Sequence, residues 1–302
     1  MSAPKRAVLF TRPLASLVIP LLDVLKNRNY VPLLIVFCPG PNDKLDAADI
    51  PFMGSQVGAL IDTAIDCPPV LCVTKMKQVE TIYLALDPDI AVSFGFMYRI
   101  TKKLLAHRSK FVNYHPAKLP VMRGSAPFPW PVLDPEMPLT ATWHYMVEEV
   151  DRGNVIKEFE MEVPEGKTRE TLTHADVEEM AHDSGVAALD GVLALAEEGY
   201  EGQAQTKAPP GQENASGSRP LSDDERTVKV DMDAEGVMRL GRALGGSPTR
   251  PLLRFNDGLY FVMRLNRLRE EDAQPIGTQK RVGTDVIQYF KGGCVRMAIR
   301  KI

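Results

Sequence analysis

Short, mostly apolar runs alternate with amphipathic stretches through the first two-thirds of the chain. Residues 7–10, 33–37, 70–73, 90–94 and 111–114 have the length and composition of buried strands. Residues 14–26 and 78–86 lie between them and carry helical spacing of apolar positions. Strands in alternation with helices predict a mainly parallel sheet covered on both faces. Residues 140–146 and 155–163 read as two later strands, with Glu148-Glu149-Val150-Asp151 in the loop between them. Residues 168–198 read as a helix whose Leu172, Ala175, Met180, Ala187, Val192 and Leu195 face a core, with Gly185 and Gly191 as candidate breaks.

The pattern then changes. Residues 208–220 are rich in Pro, Gly and Ser and form the body of a linker over 206–220. A short helix follows near residues 234–244. The remainder is β-rich, with runs at 252–255, 259–265 and 295–299. Asn256-Asp257-Gly258 between the first two is a hairpin signal. The expected architecture is α/β: a Rossmann-like domain over 1–205, the linker 206–220, and a small β-barrel domain over 221–302.

Composition narrows the picture. A chain of 302 residues, 44% hydrophobic, can build one large or two ordinary cores without staples. Its net charge of −3 gives no general pull toward nucleic acid. Cys38, Cys67, Cys72 and Cys294 form no Cys-x-x-Cys pair, so free thiols in a reducing cytoplasm are expected rather than a zinc site or disulfides. Lys5-Arg6 precede apolar residues as in a signal peptide, but Arg12, Pro13 and Pro20 interrupt the run and Asp23 follows it. No apolar run approaches a membrane span. His107, His174 and His182 fall on expected helices and His144 on a strand; they read as structural, and no metal is expected. No Gly-x-x-x-x-Gly-Lys loop is present, so no ATP cradle is expected.

The candidate chemistry lies at the end of the run 111–114. Asn113 and His115 are two apart, so on a strand they share a face, and Pro116 ends the ladder. Side chains converging at a strand end open into the crevice where α/β sheets bind ligands. An amide and an imidazole can donate to a carbonyl oxygen as it becomes negative. A nearby carboxylate can orient the imidazole or take a proton, and Asp151 in Asp151-Arg152-Gly153 is the candidate. The same aspartate also suits a simple turn.

Asn113-Tyr114-His115-Pro116-Ala117-Lys118-Leu119-Pro120, followed by Arg123-Gly124 and then by Asp151-Arg152-Gly153, resembles the signature of the folate-dependent formyltransferases. That family includes the methionyl-tRNA, glycinamide ribonucleotide and sugar N-formyltransferases. Residues 89–100 resemble its preceding strand and folate loop. The resemblance is clear over about 70–163. It implies 10-formyltetrahydrofolate as formyl donor, with Asn113 and His115 polarising the formyl group and Asp151 pairing with His115. It implies folate contacts from Phe96, Met97, Arg99 and Ile100 on one loop and from Val147, Glu148, Glu149 and Val150 on another. It also implies that Arg123-Gly124 shape the acceptor entrance; a surface ion pair is the alternative for Arg123. The family serine two residues after the histidine is Ala117 here. Pro127, Pro129 and Pro131 fall where relatives run a helix, so that helix must start late or be irregular. The linker and barrel match the layout of the tRNA and some sugar enzymes.

Charge bears on the acceptor. Residues 38–69 hold Lys44 against Asp43, Asp46, Asp49, Asp62 and Asp66, a net of −4 where the tRNA enzymes carry a basic insertion. Residues 206–302 hold 17 Lys/Arg against 12 Asp/Glu, which suits either a tRNA-binding barrel or an ordinary solvated surface. Thr11-Arg12-Pro13-Leu14-Ala15-Ser16 lacks the Gly-rich loop of the glycinamide ribonucleotide enzymes. A small-molecule amine or hydroxylamine, such as an amino sugar, is favoured as partner over tRNA. Hydrolysis of the donor and a non-catalytic folate-binding role remain open on the same residues.

Overall fold

The computed structural model describes residues 3–38, 49–63, 66–206, 219–245, 249–256, 258–268 and 274–302. Apart from 206, 219 and 220, the expected linker lies outside them, as do Asp43, Lys44, Asp46 and Asp257. In chain order the elements are β1 (Lys5–Thr11), α1 (Ala15–Asn27), β2 (Tyr30–Phe37), α2 (Asp49–Thr63), β3 (Val70–Cys72), α3 (Lys77–Leu86), β4 (Ile90–Phe94), α4 (Lys102–Leu105), β5 (Lys110–His115) and α5 (Pro129–Leu133). There follow β6 (Thr140–Tyr145), β7 (Val155–Glu160), a 3-10 turn (Arg169–Thr171), α6 (His174–Glu197) and α7 (Ala234–Leu244). The chain ends with β8 (Leu252–Phe255), β9 (Gly258–Leu268), β10 (Gln279–Val282), β11 (Asp285–Phe290) and β12 (Gly293–Lys301).

The chain forms two compact units. The first comprises 1–125, 139–161 and 181–216; the second comprises 126–138, 162–180 and 217–302. No single cut in the sequence separates them. Residues 126–138 and 162–180 fall inside the expected catalytic segment, yet they group with the C-terminal residues. Packing is the reason: Trp130 and Leu133 join the cluster of Val237, Leu240, Leu253 and Val295. The His174 ring also bonds to the Ala243 carbonyl at 3.1 Å.

The first unit is built on a seven-stranded sheet of order β3-β2-β1-β4-β5-β6-β7. The first five strands are parallel, β6 pairs antiparallel with β5, and β7 pairs antiparallel with β6. The chain moves outward from β1 to β3 and resumes at β4 on the other side of β1. That reversal is the switch point at which ligands bind in sheets of this kind. Side chains alternate between two faces. On one face Val8, Phe10, Val36, Ala91 and Phe111 pack with Val79, Tyr83 and Leu104. On the other, Phe94, Tyr114 and Trp143 stack together, with ring centroids 4.3–5.8 Å apart.

The aromatic face explains why Gly185 does not break α6. A Cβ there would stand 2.7 Å from the Tyr114 ring and 2.8 Å from that of Phe94. The glycine carbonyl accepts the Trp143 indole N–H at 3.0 Å, and the Tyr114 hydroxyl donates to Ala181 O at 2.6 Å. The helix starts later than residue 168 because Thr173 and Asp176 cap it reciprocally: Asp176 accepts from Thr173 N, and Thr173 Oγ1 accepts from Asp176 N.

In the second unit, α5 is five residues long and irregularity is limited to its start. Pro129 and Pro131 both lie in its first turn, where backbone N–H groups have no intrahelical acceptor. The five antiparallel strands run in the order β10-β11-β12-β9-β8. The sheet curls into a half-barrel, so that Gln279 Nε2 on one edge strand reaches Arg254 O on the other at 3.1 Å. The Asp233 side chain caps α7 by accepting from Gly236 N at 2.6 Å. The helix then lays Val237, Leu240 and Leu244 on the sheet. Phe255 pairs with Gly258, and Asn256 between them has φ 50°, the left-handed backbone a two-residue hairpin needs.

The two glycines of α6 lead to opposite expectations. Gly185→Ala overpacks the aromatic face and should cost about 1–3 kcal/mol. Gly191→Ala meets only the Lys157 amine at 3.5 Å and should gain up to about 1 kcal/mol of helix propensity. Urea denaturation of both variants beside the parent checks the pair; equal midpoints would contradict the packing account.

Candidate active site

Asn113 and His115 occupy alternate positions of β5 on the face opposite the aromatic stack. Antiparallel β6 places His144 directly across from Asn113, and Thr142 across from His115. The chain then leaves β6 and doubles back over this face before β7 begins. Gly153 makes the fold-back possible: a Cβ there would stand 1.7 Å from the Tyr145 carbonyl oxygen. The turn delivers Asp151, at φ 55°, between the two histidines. Its Oδ2 lies 3.7 Å from His115 Nδ1, and its Oδ1 lies 3.7 Å from His144 Nε2. Asp151 is 10% exposed, His115 6% and His144 2%, so this is a nearly dry cluster of ionisable groups.

Hydrogen bonds fix the ring states. His115 Nε2 lies 2.6 Å from Met122 O; a carbonyl only accepts, so this nitrogen carries the proton. Nδ1 is then the ring nitrogen that faces Asp151. His144 is arranged the other way. Its Nδ1–H donates to Tyr145 O at 2.8 Å, leaving Nε2 as acceptor for Asn113 Nδ2 at 3.0 Å. An amide nitrogen has two hydrogens, so Asn113 keeps a second donor. Burial depresses His144 to about 4, aided by the neighbouring His115 and Arg123 charges and opposed by Asp151.

Arg123 and Gly124 serve the aspartate. Gly124 N–H donates to Asp151 Oδ2 at 3.0 Å, and Arg123 Nε donates to Asp151 O at 3.2 Å. Burial and the nearby Arg152 charge lower the Arg123 guanidinium. Arg123 Nη2 also donates to Gln205 Oε1 at 2.6 Å, and among the described residues Arg123 forms no ion pair. Thr142 Oγ1 donates to Ala117 O at 2.8 Å, which anchors the segment after His115.

The two expected folate loops behave differently along their length. Phe96 turns inward onto Phe10, with centroids 5.3 Å apart, and Ile100 is core. Met97 is 43% exposed, and its N–H donates to Cys38 Sγ at 3.3 Å. Arg99 is exposed, as are Glu148 and Glu149. Val147 and Val150 are 42% and 46% exposed. A Lys102–Glu148 ion pair of 2.6 Å ties the second loop to α4, which follows the first. Among the described residues no helix is long and apolar enough to cross a membrane.

His144, Gln205 and Cys38 enter this description without having been expected there. His144 had one available signal. It shares strand parity with Thr142, and an antiparallel β5–β6 register puts it opposite Asn113.

A buried carboxylate thus lies between two oppositely oriented imidazoles, beside an amide that keeps a second N–H, at a strand end. Residues 74–189 match the family model described as formyl transferase. The methionyl-tRNA formyltransferase of Ureaplasma parvum is 23% identical over 205 residues, which is 68% of this chain and 64% of that protein. That of Bacillus cytotoxicus is 32% identical over 117 residues, 38% of this chain and 37% of the relative. These matches therefore span between about a third and two-thirds of the relatives' length.

Among solved structures, HypX from Aquifex aeolicus in complex with tetrahydrofolic acid superposes with a TM-score of 0.64 and 16% identity, covering 99% of this chain and 44% of that one. A sugar N-formyltransferase from Shewanella gives 0.60 and 17%, covering 89% of this chain and 99% of that one. Residues 74–189 are thus similar to the formyl transferase family, and the sequence relatives and the sugar N-formyltransferase structure carry that activity in their names.

The depressed His144 has a consequence for stability. Its folded value, about 4, lies below the unfolded 6.5, so the unfolded chain binds the extra proton between those values. The contribution is fully present above pH 6.5 and is lost as pH falls toward 4. An NMR titration should show the His144 ring changing state near pH 4, with denaturant stability falling over the same window. A ring midpoint at 6 or above would refute the assignment.

Proposed function

We propose that the chain transfers the formyl group of 10-formyltetrahydrofolate to a primary amine or hydroxylamine, with a small molecule such as an amino sugar as acceptor. The observation that carries this reading is Asp151, pinned through Oδ2 by Gly124 and flanked by His115 and His144. The donor supplies the formyl carbon. Exposed Met97, Val147 and Val150 offer the apolar surface a flat ring system requires, since ligand sites are mainly apolar with few polar groups.

The protein's share of the chemistry follows from the hydrogen bonds. The uncommitted Asn113 N–H aims at the carbonyl oxygen that gains charge, a donor role worth several kcal/mol in a dry site. His115 can exchange a proton at Nδ1, the nitrogen beside Asp151. The carboxylate stabilises the charged ring and provides the route by which the attacking amine loses its proton, while the bond from the formyl carbon to the donor nitrogen breaks and that nitrogen leaves protonated as tetrahydrofolate. His144, held neutral, orients Asn113.

Exposed Asp62 and Asp66 keep part of the acidic character of 38–69 at the surface, which supports a small acceptor over a polyanion. A tRNA acceptor is the second reading, and the names of the sequence relatives favour it.

An acceptor screen separates them. Purified protein with 10-formyltetrahydrofolate should formylate a member of an amine panel faster than initiator methionyl-tRNA, and faster than it releases formate to water. Preference for tRNA would overturn the acceptor assignment, and formate as sole product would replace transfer by hydrolysis. Asn113→Ala and His115→Ala should each lower turnover by about 100-fold or more. Asp151→Asn should stay folded and lose most activity. Asparagine forms the turn as well as aspartate does, so full activity in that variant would reduce Asp151 to a turn former.

A further inference from the structure

We propose that Gln205, far from the active-site residues in sequence, is a positioning residue that sets the Asp151 carboxylate. The inference rests on the formyl-transfer reading and deepens it.

Gln205 closes a ring of hydrogen bonds around the Asp151 turn. Its Oε1 accepts from Arg123 Nη2 at 2.6 Å. Its Nε2 donates to Asp151 O at 2.8 Å and to Gly153 O at 2.9 Å. Arg123 Nε completes the ring at Asp151 O. The amide orientation is forced, because the guanidinium can only donate and the two carbonyls can only accept. One side chain therefore links the residue before Gly124 to both carbonyls that bracket Arg152. Gly124 N–H is the donor that holds Asp151 Oδ2. Carboxylate and turn are thus fixed from two sides, and Gln205 spans the two.

The segment carrying Gln205 is itself fastened along the same turn. Gln203 and Val155 exchange two backbone hydrogen bonds of 2.8 Å. Asn154 Nδ2 donates to Glu201 O at 2.9 Å, and the Tyr145 hydroxyl donates to Tyr200 O. Gly202, at φ 75°, allows the close approach, since a Cβ there would lie 2.8 Å from Val155 O. Residues 200–205 thus form a strap whose last side chain reaches the aspartate. A left-handed aspartate on a turn has no helix or strand of its own to hold its direction. Small displacements of a reacting group reduce rate steeply.

Gln205→Ala removes the whole link, and Gln205→Glu keeps the Arg123 bond but loses both donors. Both variants should lower kcat by between about 10- and 100-fold, with melting temperature shifted by less than about 4 °C. A merely structural side chain would lower activity in every background. A positioning one acts through Asp151, so adding Gln205→Ala to Asp151→Asn should lower the residual rate no further.

A substrate-free readout accompanies the rates. The Gly124 amide proton reports the carboxylate's position, and its hydrogen exchange should accelerate about tenfold or more in both variants. Unchanged Gly124 exchange, or parental kcat in Gln205→Ala while Asp151→Asn is inactive, would overturn the proposal. If Asp151→Asn keeps the parental rate, the formyl-transfer assignment of Asp151 fails instead, and Gly124 exchange still decides whether Gln205 sets the carboxylate.

Discussion

The site depends on holding one carboxylate in a nearly dry place. Burying an ionised carboxylate costs several kcal/mol unless hydrogen bonds or opposite charge offset it. Asp151 has one donor on its carboxylate, Gly124 N–H, and two donors on its own carbonyl. Neither imidazole is in hydrogen-bond contact, since both stand at 3.7 Å. The surrounding architecture serves this single group. Gly153 lets the turn double back, the loop after β5 brings Arg123 and Gly124, and the 200–205 segment closes the ring.

Two histidines on one carboxylate would be interchangeable if their backbones treated them alike. They do not. Tyr145 O takes the Nδ1 proton of His144, whereas Met122 O takes the Nε2 proton of His115. One ring therefore presents Nε2 to Asp151 and the other presents Nδ1. The His144 acceptor is filled by Asn113, and burial keeps that ring neutral. The His115 nitrogen facing Asp151 carries no such bond to a neighbouring strand. Backbone carbonyls thus make the two rings different: one imidazole accepts from the Asn113 amide, and the other turns Nδ1 toward Asp151.

Much of this was legible in the residues, for definable reasons. A parallel sheet buried on both faces writes itself as continuous apolar runs, and β1, β2, β4 and β5 were each found within a few residues. The Asn113/His115 spacing is a period of two at a strand end, which one strand's sequence contains in full. His144 was not legible, because its relation to Asn113 exists only in the β5–β6 register. Gln205 was hidden further, since its partners lie on a turn and a loop and no periodicity joins them. Helix α2 escaped because its apolar positions are spread around the helix and an acidic stretch precedes it. The short strands β10 and β11 alternate too briefly to announce separate elements. The grouping of 126–138 and 162–180 with the C-terminal unit reflects tertiary burial of Trp130 and Leu133, which local pattern does not encode.

The antiparallel addition to the sheet is what gathers the ionisable cluster at a strand end. A parallel neighbour of β5 would return through a crossover of a dozen or more residues and would not set its own connection beside Asn113. An antiparallel β6 instead runs back along β5, so the residues opposite Asn113 and His115 come from one short strand. The connection from β6 to β7 starts two residues beyond His144 and needs only to fold over to bring a carboxylate onto both rings. The cost is that the acid sits on a turn rather than on a strand. Clamps from the residues after β5 and from the segment after α6 answer that cost, which is why the stability of the turn and the direction of the carboxylate are one problem in this chain.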